Sequence, residues 1–368
     1  MDKIIIITTN IAPYRLRWCE ELSEHYETVI YYTKDKEKDR DRRFLKHGSE
    51  KCRVVKLNNK NDRPEPLCFD VLKVIRRHRD DLILFDGYGP VTNILGLVYC
   101  KLIGKKVVVN VDGYALGEKR SFLKDLLKNL IVSKLCPIIF CSSEVTKEHL
   151  VSCGAKRENI YVHNFSSVDR ARILEKPLSD QEKTELREKL KIESRKPIVL
   201  GVGQFIPRKR FEDLIEAVKN CSTDCDLYIL GGRPDEKYLE LTKDTDRIHF
   251  IDFVPPEEVD DYYKASDLFV LSSQTDVWGL VLNEAVACGL PVISSDHCIA
   301  GLSMVDGNGI VYETGNIQEL TEAIDFCLRP DSRKKMSLRS LQIAGAYNIE
   351  SMVERQLPVI QQYFKNKL

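Results

Sequence analysis

Residues 267–296 read "DLFVLSSQTDVWGLVLNEAVACGLPVISSD". "DLFVLSS" (267–273) and "PVISSD" (291–296) are apolar runs of strand length. The segment between them predicts a loop over 274–279 and a helix from about Leu280. Strand, helix and strand in succession form a crossover joining two parallel strands. Two acids stand out. Asp276 lies just ahead of Trp278-Gly279, and Glu284 sits among Val281, Leu282, Ala285 and Val286, where charge is rarely buried unpaired. The amides of Gly279, Leu280 and Val281 open the helix, lack intrahelical partners and carry the positive end of its dipole. Glu284 also has a plainer reading, as a helix-start carboxylate complementing that dipole.

The same alternation extends in both directions. Downstream of residue 194, "PIVLGVG" (197–203), "DLYILGG" (226–232), "RIHFIDFV" (247–254) and "GIVYE" (309–313) complete six strands separated by helical segments. Upstream, "KIIIITT" (3–9), "TVIYY" (28–32), "LILF" (82–85), "KVVVNV" (106–111) and "CPIIF" (136–140) read as buried strands. Helices are expected from near Pro13, Pro66, Pro90, Ser121 and Ser143. Continuous apolar strands alternating with helices predict parallel sheets covered on both faces.

Residues 170–194 are charged and helix-prone, and read as the connection between domains. The expected fold class is α/β, with two doubly wound Rossmann-like domains facing a cleft. The expected domains are 1–170 and 171–348, with helix 349–368 packing back on the first and bent at Pro358. Ligands of such sheets bind at the carboxyl ends of the strands.

A chain of 368 residues suits two cores rather than one. Its composition, 43% hydrophobic and 30% charged, excludes a disordered protein. No run reaches a membrane span, and "MDKIIIITTN" is too short and polar-flanked for a signal peptide, so the cytoplasm is the expected location. The twelve cysteines include no C-x-x-C pair and suggest a reducing compartment.

Net charge is zero, yet residues 1–170 hold 31 basic and 23 acidic residues, a balance of +8. The run "KDKEKDRDRRFLKHGSEKCR" (34–53) reads as a solvated face. "KRSFLKDLLKNLIVSKL" (119–135) places Phe122, Leu123, Leu126, Leu127, Leu130 and Ile131 on one helical stripe. Periodicity alone favours a core-facing helix. The alternative is docking on an anionic membrane, helped by the basic balance and "KVIRRHR" (73–79).

"GVGQFIPRKRFEDLIEA" (201–217) places Gly201 and Gly203 after a strand and Arg208, Lys209 and Arg210 before a helix. Flexible backbone, cations and a helix N-terminus suit phosphate. Ile206 stands where a dinucleotide fingerprint needs glycine, and no Walker pattern occurs. The Asp39/Asp41 and Asp244/Asp246 pairs lie in charged surface stretches, so no metal is expected.

Together "GVGQFIPRKRFEDLIEA", "FVPPEEVDDYYKASDLFVLSS", "DVWGLVLNEAVACGLPVISSD" and "VDGNGIVYETGNIQELTEAI" resemble the large retaining group of GT-B-fold nucleotide-sugar glycosyltransferases, the glycosyl transferases group 1. "NIAPYRLRWCEEL", "VNVDGYALG" and "CSSEVTKEHLVSCGAKRENIYVHNF" match more loosely. The resemblance implies that Lys209 neutralises the donor diphosphate and Glu284 holds the nucleotide ribose. Asp276 would contact the transferred sugar, the amides of Gly279, Leu280 and Val281 sugar and phosphate oxygens, and the backbone near Phe253 and Val254 the base. Gly203 and Gln204 belong to the same donor loop. Asn10, Tyr14 and Arg15 would lie on the acceptor side, with Asp112-Gly113 facing the reacting carbon.

Four positions depart from the pattern. Asp276 replaces the first glutamate, Gln204 an arginine that Arg208 would replace, Arg210 a glycine, and Asp112 a histidine. The implied reaction is transfer of a hexose-type sugar from a nucleotide diphosphate, UDP favoured, to a glycan or lipid-linked acceptor in cell-surface polysaccharide synthesis. Retention, no metal, no cofactor beyond the co-substrate and no nucleic-acid partner are expected. An epimerase, a phosphorylase or a non-catalytic binding module of the same fold remain open.

Overall fold

The computed structural model describes residues 2–34, 49–57, 67–117 and 121–365. The Asp39/Asp41 pair, most of the 34–53 run and the expected helix start at Pro66 lie outside them. The chain divides into two units. The first comprises Met1–Gly113, Lys119–Ser167 and Ile349–Leu368; the second comprises Tyr114–Glu118 and Val168–Asn348.

The first unit is a seven-stranded parallel sheet. Its strands are β1 (Lys3–Thr8), β2 (Glu27–Tyr32), β3 (Arg53–Lys56), β4 (Leu82–Asp86), β5 (Val108–Val111), β6 (Ile138–Cys141) and β7 (Ile160–Val162), in the order β3-β2-β1-β4-β5-β6-β7. Ile4, Ile5, Ile6 and Ile7 of β1 are fully buried because helices cover both faces of a central parallel strand. The edge strands β3 and β7 were not expected from the sequence. Both are short and only partly buried, so neither shows an apolar run.

The C-terminal helix Ile349–Phe364 contains Pro358 and joins this unit through a buried bond. Gln356 Oε1 accepts from Trp18 Nε1 at 2.8 Å, and its Nε2 lies 2.6 Å from His163 Nδ1. Burial pushes the His163 imidazole down to about 3, so it is neutral at physiological pH.

The second unit is a six-stranded parallel sheet: β8 (Ile198–Val202), β9 (Asp226–Leu230), β10 (Ile248–Ile251), β11 (Leu268–Leu271), β12 (Val292–Ser295) and β13 (Gly309–Tyr312). Its order is β10-β9-β8-β11-β12-β13. All six expected strands are present. Strand order reverses between β8 and β11, which pair through Leu268–Val199 and Phe269–Leu200. Chains diverge at such a point and leave a crevice at the strand ends.

Two expectations are corrected. Residues 170–194 are not merely a connection: the Asp180–Lys189 helix, opened by a Ser179–Glu182 capping box, is fastened to the second unit. Its Lys183 and Arg187 both bind the buried Asp267 at the start of β11. The Phe122–Leu135 helix does not face the core along its predicted stripe. Phe122, Leu123, Leu126, Leu127 and Leu130 are 80, 74, 57, 56 and 55% exposed, and only Ile131 and Val132 of this helix are buried. The stripe is real, but solvent meets it.

All twelve cysteines are free and buried. Among the described residues, no helix is long and apolar enough to cross a membrane. No group of three or more His, Cys, Asp or Glu among them is placed to hold a metal ion.

Candidate donor site

The carboxyl ends of β8, β10 and β11 lead into the predicted donor residues. After β8, Gly203 takes φ +151°, and its amide bonds the Leu230 carbonyl at 2.9 Å. A Cβ added at Gly231 would lie 1.7 Å from the Gly203 oxygen, so the two backbones can pass only with glycine at 231. Gly231 was not singled out from the sequence. A 3-10 turn over Pro207–Lys209 follows, and Arg210 enters the next helix, Phe211–Asn220, at φ 48°. That left-handed conformation costs a non-glycine residue roughly 1–2 kcal/mol, which gives a physical reason for glycine at this place in the resembled pattern. Arg210 is held by Asp213 at 2.6 Å and Gln274 Oε1 at 2.9 Å, so it braces the loop rather than standing as a cation at its mouth.

Lys209 is buried, and its ammonium donates to Asp276 Oδ2 at 2.7 Å and Ser273 Oγ at 3.4 Å. Arg208, about half exposed, reaches the same carboxylate oxygen at 3.6 Å. The two loops are knitted by bonds to main-chain carbonyls: Ser272 Oγ donates to that of Lys209 at 2.8 Å and the Gln274 amide to that of Arg208 at 2.6 Å. The Asp276 amide donates to the His297 carbonyl at 3.1 Å. The structure thus joins Arg208, Lys209 and Asp276, three predicted residues, at the switch point.

Gly279 caps the Leu280–Ala287 helix at φ 104°, with no side-chain cap on the helix start. A Cβ there would meet Cys298 Sγ at 2.7 Å and Leu271 Cδ2 at 2.9 Å. The amides of Leu280 and Val281 belong to the first turn, which has no intrahelical acceptor for them. Trp278 is buried; its Nε1 donates to Asn283 Oδ1 at 2.7 Å and its ring stacks on Tyr347, which fixes the loop before the helix.

Glu284, one turn in, accepts from Tyr263 Oη at 2.9 Å. Burial raises its carboxyl, against the opposing pull of Arg172 and the Tyr263 bond. Arg172 is itself clamped by Asp260 at 2.6 and 3.0 Å. Tyr263, Arg172 and Asp260 lie on other elements from Glu284, and only the fold reveals them as its supports. Phe253 and Val254 follow β10; Val254 is buried, and the Phe253 amide turns onto Asp252 Oδ1 at 2.6 Å. Gln204, beside Gly203, is partly buried.

In the first unit, Asn10, Tyr14 and Arg15 follow β1, while Asp112-Gly113 follows β5. Arg15, one of the expected acceptor-side residues, belongs to a buried ion network. Its guanidinium lies 2.5 Å from Asp112 Oδ2 and 3.0 Å from Asp86 Oδ1. It also lies 5.2, 5.4 and 5.7 Å from the ring centres of Tyr14, Trp18 and Phe165. Asp112 Oδ1 accepts from Asn110 Nδ2 at 2.9 Å. Burial, the largest influence, raises the Asp112 carboxyl, with Asp86 adding and Arg15 opposing. Asp112 is therefore a tethered carboxylate. Asp86, its co-tenant, was missed because it ends an otherwise apolar strand.

Residues 182–340 match the family model for glycosyl transferases group 1, and this stretch lies within the second unit. An uncharacterized glycosyltransferase of Haemophilus influenzae is 30% identical over 165 residues, which are 42% of this chain and 46% of that protein. The chain thus spans under half of that relative's length. The lipopolysaccharide core biosynthesis glycosyltransferase LpsE of Rhizobium meliloti is 26% identical over 257 residues, 68% of this chain and 72% of LpsE. Among solved structures, Anabaena HepE in complex with UDP superposes with a TM-score of 0.74 at 17% identity, covering 98% of this chain and 100% of that one. The fold is that of the GT-B glycosyltransferases, built from two Rossmann-like sheets.

Proposed function

We propose that the protein is a glycosyltransferase that moves a hexose-type sugar from a nucleotide diphosphate, UDP favoured, to a glycan or lipid-linked saccharide in cell-surface polysaccharide synthesis. The observation that carries this reading is the Lys209–Asp276 pair at 2.7 Å, set between the β8 loop and the start of the Leu280–Ala287 helix. A buried ammonium paired to the loop that leads into a helix N-terminus suits a diphosphate. In the proposed reaction the departing diphosphate gathers negative charge, and Lys209, Arg208 and the amides of Gly279, Leu280 and Val281 meet it. Lys209 then exchanges Asp276 for phosphate, and Asp276 turns to a hydroxyl of the transferred sugar. Glu284, oriented by Tyr263, accepts from the ribose, and backbone at Phe253 and Val254 reads the base. LpsE in lipopolysaccharide synthesis and HepE with UDP support the choice of acceptor class and nucleotide.

Retention and independence of metal and cofactor belong to the same proposal. Incubation with UDP-sugars in EDTA should release UDP, and proton NMR of the product should show the donor's anomeric configuration. No release from any UDP- or GDP-sugar, with binding intact, would favour a catalytically impaired binding protein, the reading that Asp276 in place of glutamate and Gln204 in place of arginine support. Conversion of the donor sugar without transfer would favour an epimerase.

We also propose that the first unit rests on an anionic membrane. The exposed leucine stripe of the Phe122–Leu135 helix supports this, together with an apolar groove of about 270 Å³ bordered by Lys101, Lys106 and Lys134. Lysines around an apolar face suit phosphate headgroups above acyl chains. Wild type should float with phosphatidylglycerol vesicles and detach in high salt. Leu126→Ser with Leu127→Ser should weaken partitioning by roughly tenfold or more. Wild type that fails to float would remove the proposal.

A further inference from the structure

The loop that joins the Phe211–Asn220 helix to β9 reads "CSTDC", Cys221 to Cys225. Its two sulfurs lie 3.6 Å apart. Arg247 spans both: Nη2 is 3.3 Å from Cys221 Sγ and 3.6 Å from Cys225 Sγ, and Nε donates to the Cys225 carbonyl at 2.9 Å. Asp325 pins the loop through the amides of Ser222 and Thr223 at 3.0 and 2.8 Å, and is the acidic group facing the pair. The carbonyls of Val218 and Thr223, at 3.1 and 3.4 Å, accept from Cys221 in its thiol form.

This environment differs from that of the other cysteines. Burial pushes Cys100 up to about 11, and Cys136, Cys141, Cys298 and Cys327 up to about 12. Cys221 moves the other way, to about 7, chiefly through the hydrogen bond from Cys225 and then, against burial, that from Arg247. Cys225 is raised, as a thiol donating to a thiolate must be.

We propose that Cys221 and Cys225 form a peroxide-oxidisable dithiol, a modification site apart from the donor residues, in which Cys221 reacts first and Cys225 resolves it. The Cys221 thiolate attacks hydrogen peroxide: an S–O bond forms, the O–O bond breaks, and the departing hydroxide takes a proton to become water. The Cys225 sulfur then attacks the sulfenic acid, an S–S bond forms, the S–O bond breaks, and the hydroxyl leaves with the Cys225 proton as a second water. In sum, two thiols and one peroxide give one disulfide and two waters, with sulfur losing the electrons that oxygen gains. Closure needs the sulfurs to draw together from 3.6 Å to about 2.05 Å, a movement for the short loop between them, exposed at Ser222 and Asp224, to take up.

The test is peptide mapping of the folded full-length chain after brief treatment with equimolar hydrogen peroxide and alkylation of the remaining thiols. The tryptic peptide 220–237 should lose two hydrogens and escape alkylation, and dithiothreitol should restore both thiols. In Cys225→Ser, Cys221 should carry a dimedone adduct. Arg247→Gln should slow oxidation by about tenfold, because the thiolate loses its cation. An unmodified 220–237 peptide would overturn the proposal, as would Cys221 reacting no faster than Cys68. So would an Arg247→Gln variant oxidising at the wild-type rate. Should Cys225→Ser fail to fold, the wild-type peptide map decides alone.

Discussion

Lys209→Ala is expected to lower release of nucleoside diphosphate from a UDP-sugar by roughly 10²–10³-fold, the loss typical of removing one preorganised group that meets transition-state charge. The size follows from where the ammonium sits. Lys209 is buried and held at 2.7 Å from Asp276, so it faces little screening by water and needs little reorganisation to meet a phosphate. Arg208 cannot stand in for it: its side chain is about half exposed and 3.6 Å from the same carboxylate. Lys209→Met separates charge from volume, since it keeps the stem that packs beside Gly203, where an added Cβ would lie 3.2 Å from Lys209 Cε. Both variants should lose turnover alike. A Lys209→Met variant that keeps a rate within about threefold of wild type would remove the charge argument from the proposed mechanism.

Asp267→Asn is expected to cost the second unit about 3–5 kcal/mol, the range found when one partner is removed from a buried ion network. For a unit of this size that lowers the melting temperature by roughly 10 °C. Asp267 is almost wholly buried. Its Oδ1 accepts from Lys183 at 2.8 Å and Arg333 at 2.9 Å, and its Oδ2 accepts from Arg187 at 2.6 Å and the Ile198 amide at 2.9 Å. One carboxylate therefore ties two helices to the starts of two central strands. An amide would leave Lys183 and Arg187 without their counter-charge and Arg333 with only the exposed Asp180 at 3.5 Å.

The pH dependence has a definite sign. Burial opposes ionisation of Asp267, but Lys183, Arg187 and Arg333 outweigh it and hold the carboxyl below its ordinary value. The folded pKa is thus lower than the unfolded one, so the contribution is complete above the unfolded value of about 3.9 and fades as pH falls through the folded value. Wild type and Asp267→Asn should differ most at neutral pH and converge in acid. Equal melting temperatures at pH 7 would show the network to be energetically idle.

How much of this was legible depended on the physics of each element. In the second unit β8, β9, β11 and β12 were readable because central parallel strands are apolar on both faces, and the edge strands β10 and β13 because each still keeps an apolar run, Ile248–Ile251 and Gly309–Tyr312. β3 and β7 were not, since an edge strand keeps a wet side: Arg53 and Lys56 at the ends of β3 are exposed. The charged stretch 170–194 hid the Asp267 network, because composition does not distinguish a solvated lysine from one folded onto a buried carboxylate. The leucine stripe of the Phe122–Leu135 helix was found by its period, but period fixes only that the helix has two faces. Lys209, Asp276 and Gly279 were legible because loop, strand end and helix start are local patterns. Tyr263 behind Glu284, and Asp86 beside Arg15, come from distant segments and needed the fold.

The most direct test is calorimetric titration of the purified protein with UDP and GDP, beside Glu284→Ala and Lys209→Ala variants checked for an intact melt. The donor-site proposal predicts one nucleoside diphosphate bound per chain, with affinity falling at least tenfold in each variant as a charged hydrogen bond is lost. No binding by wild type, or binding that both variants keep unchanged, would contradict it.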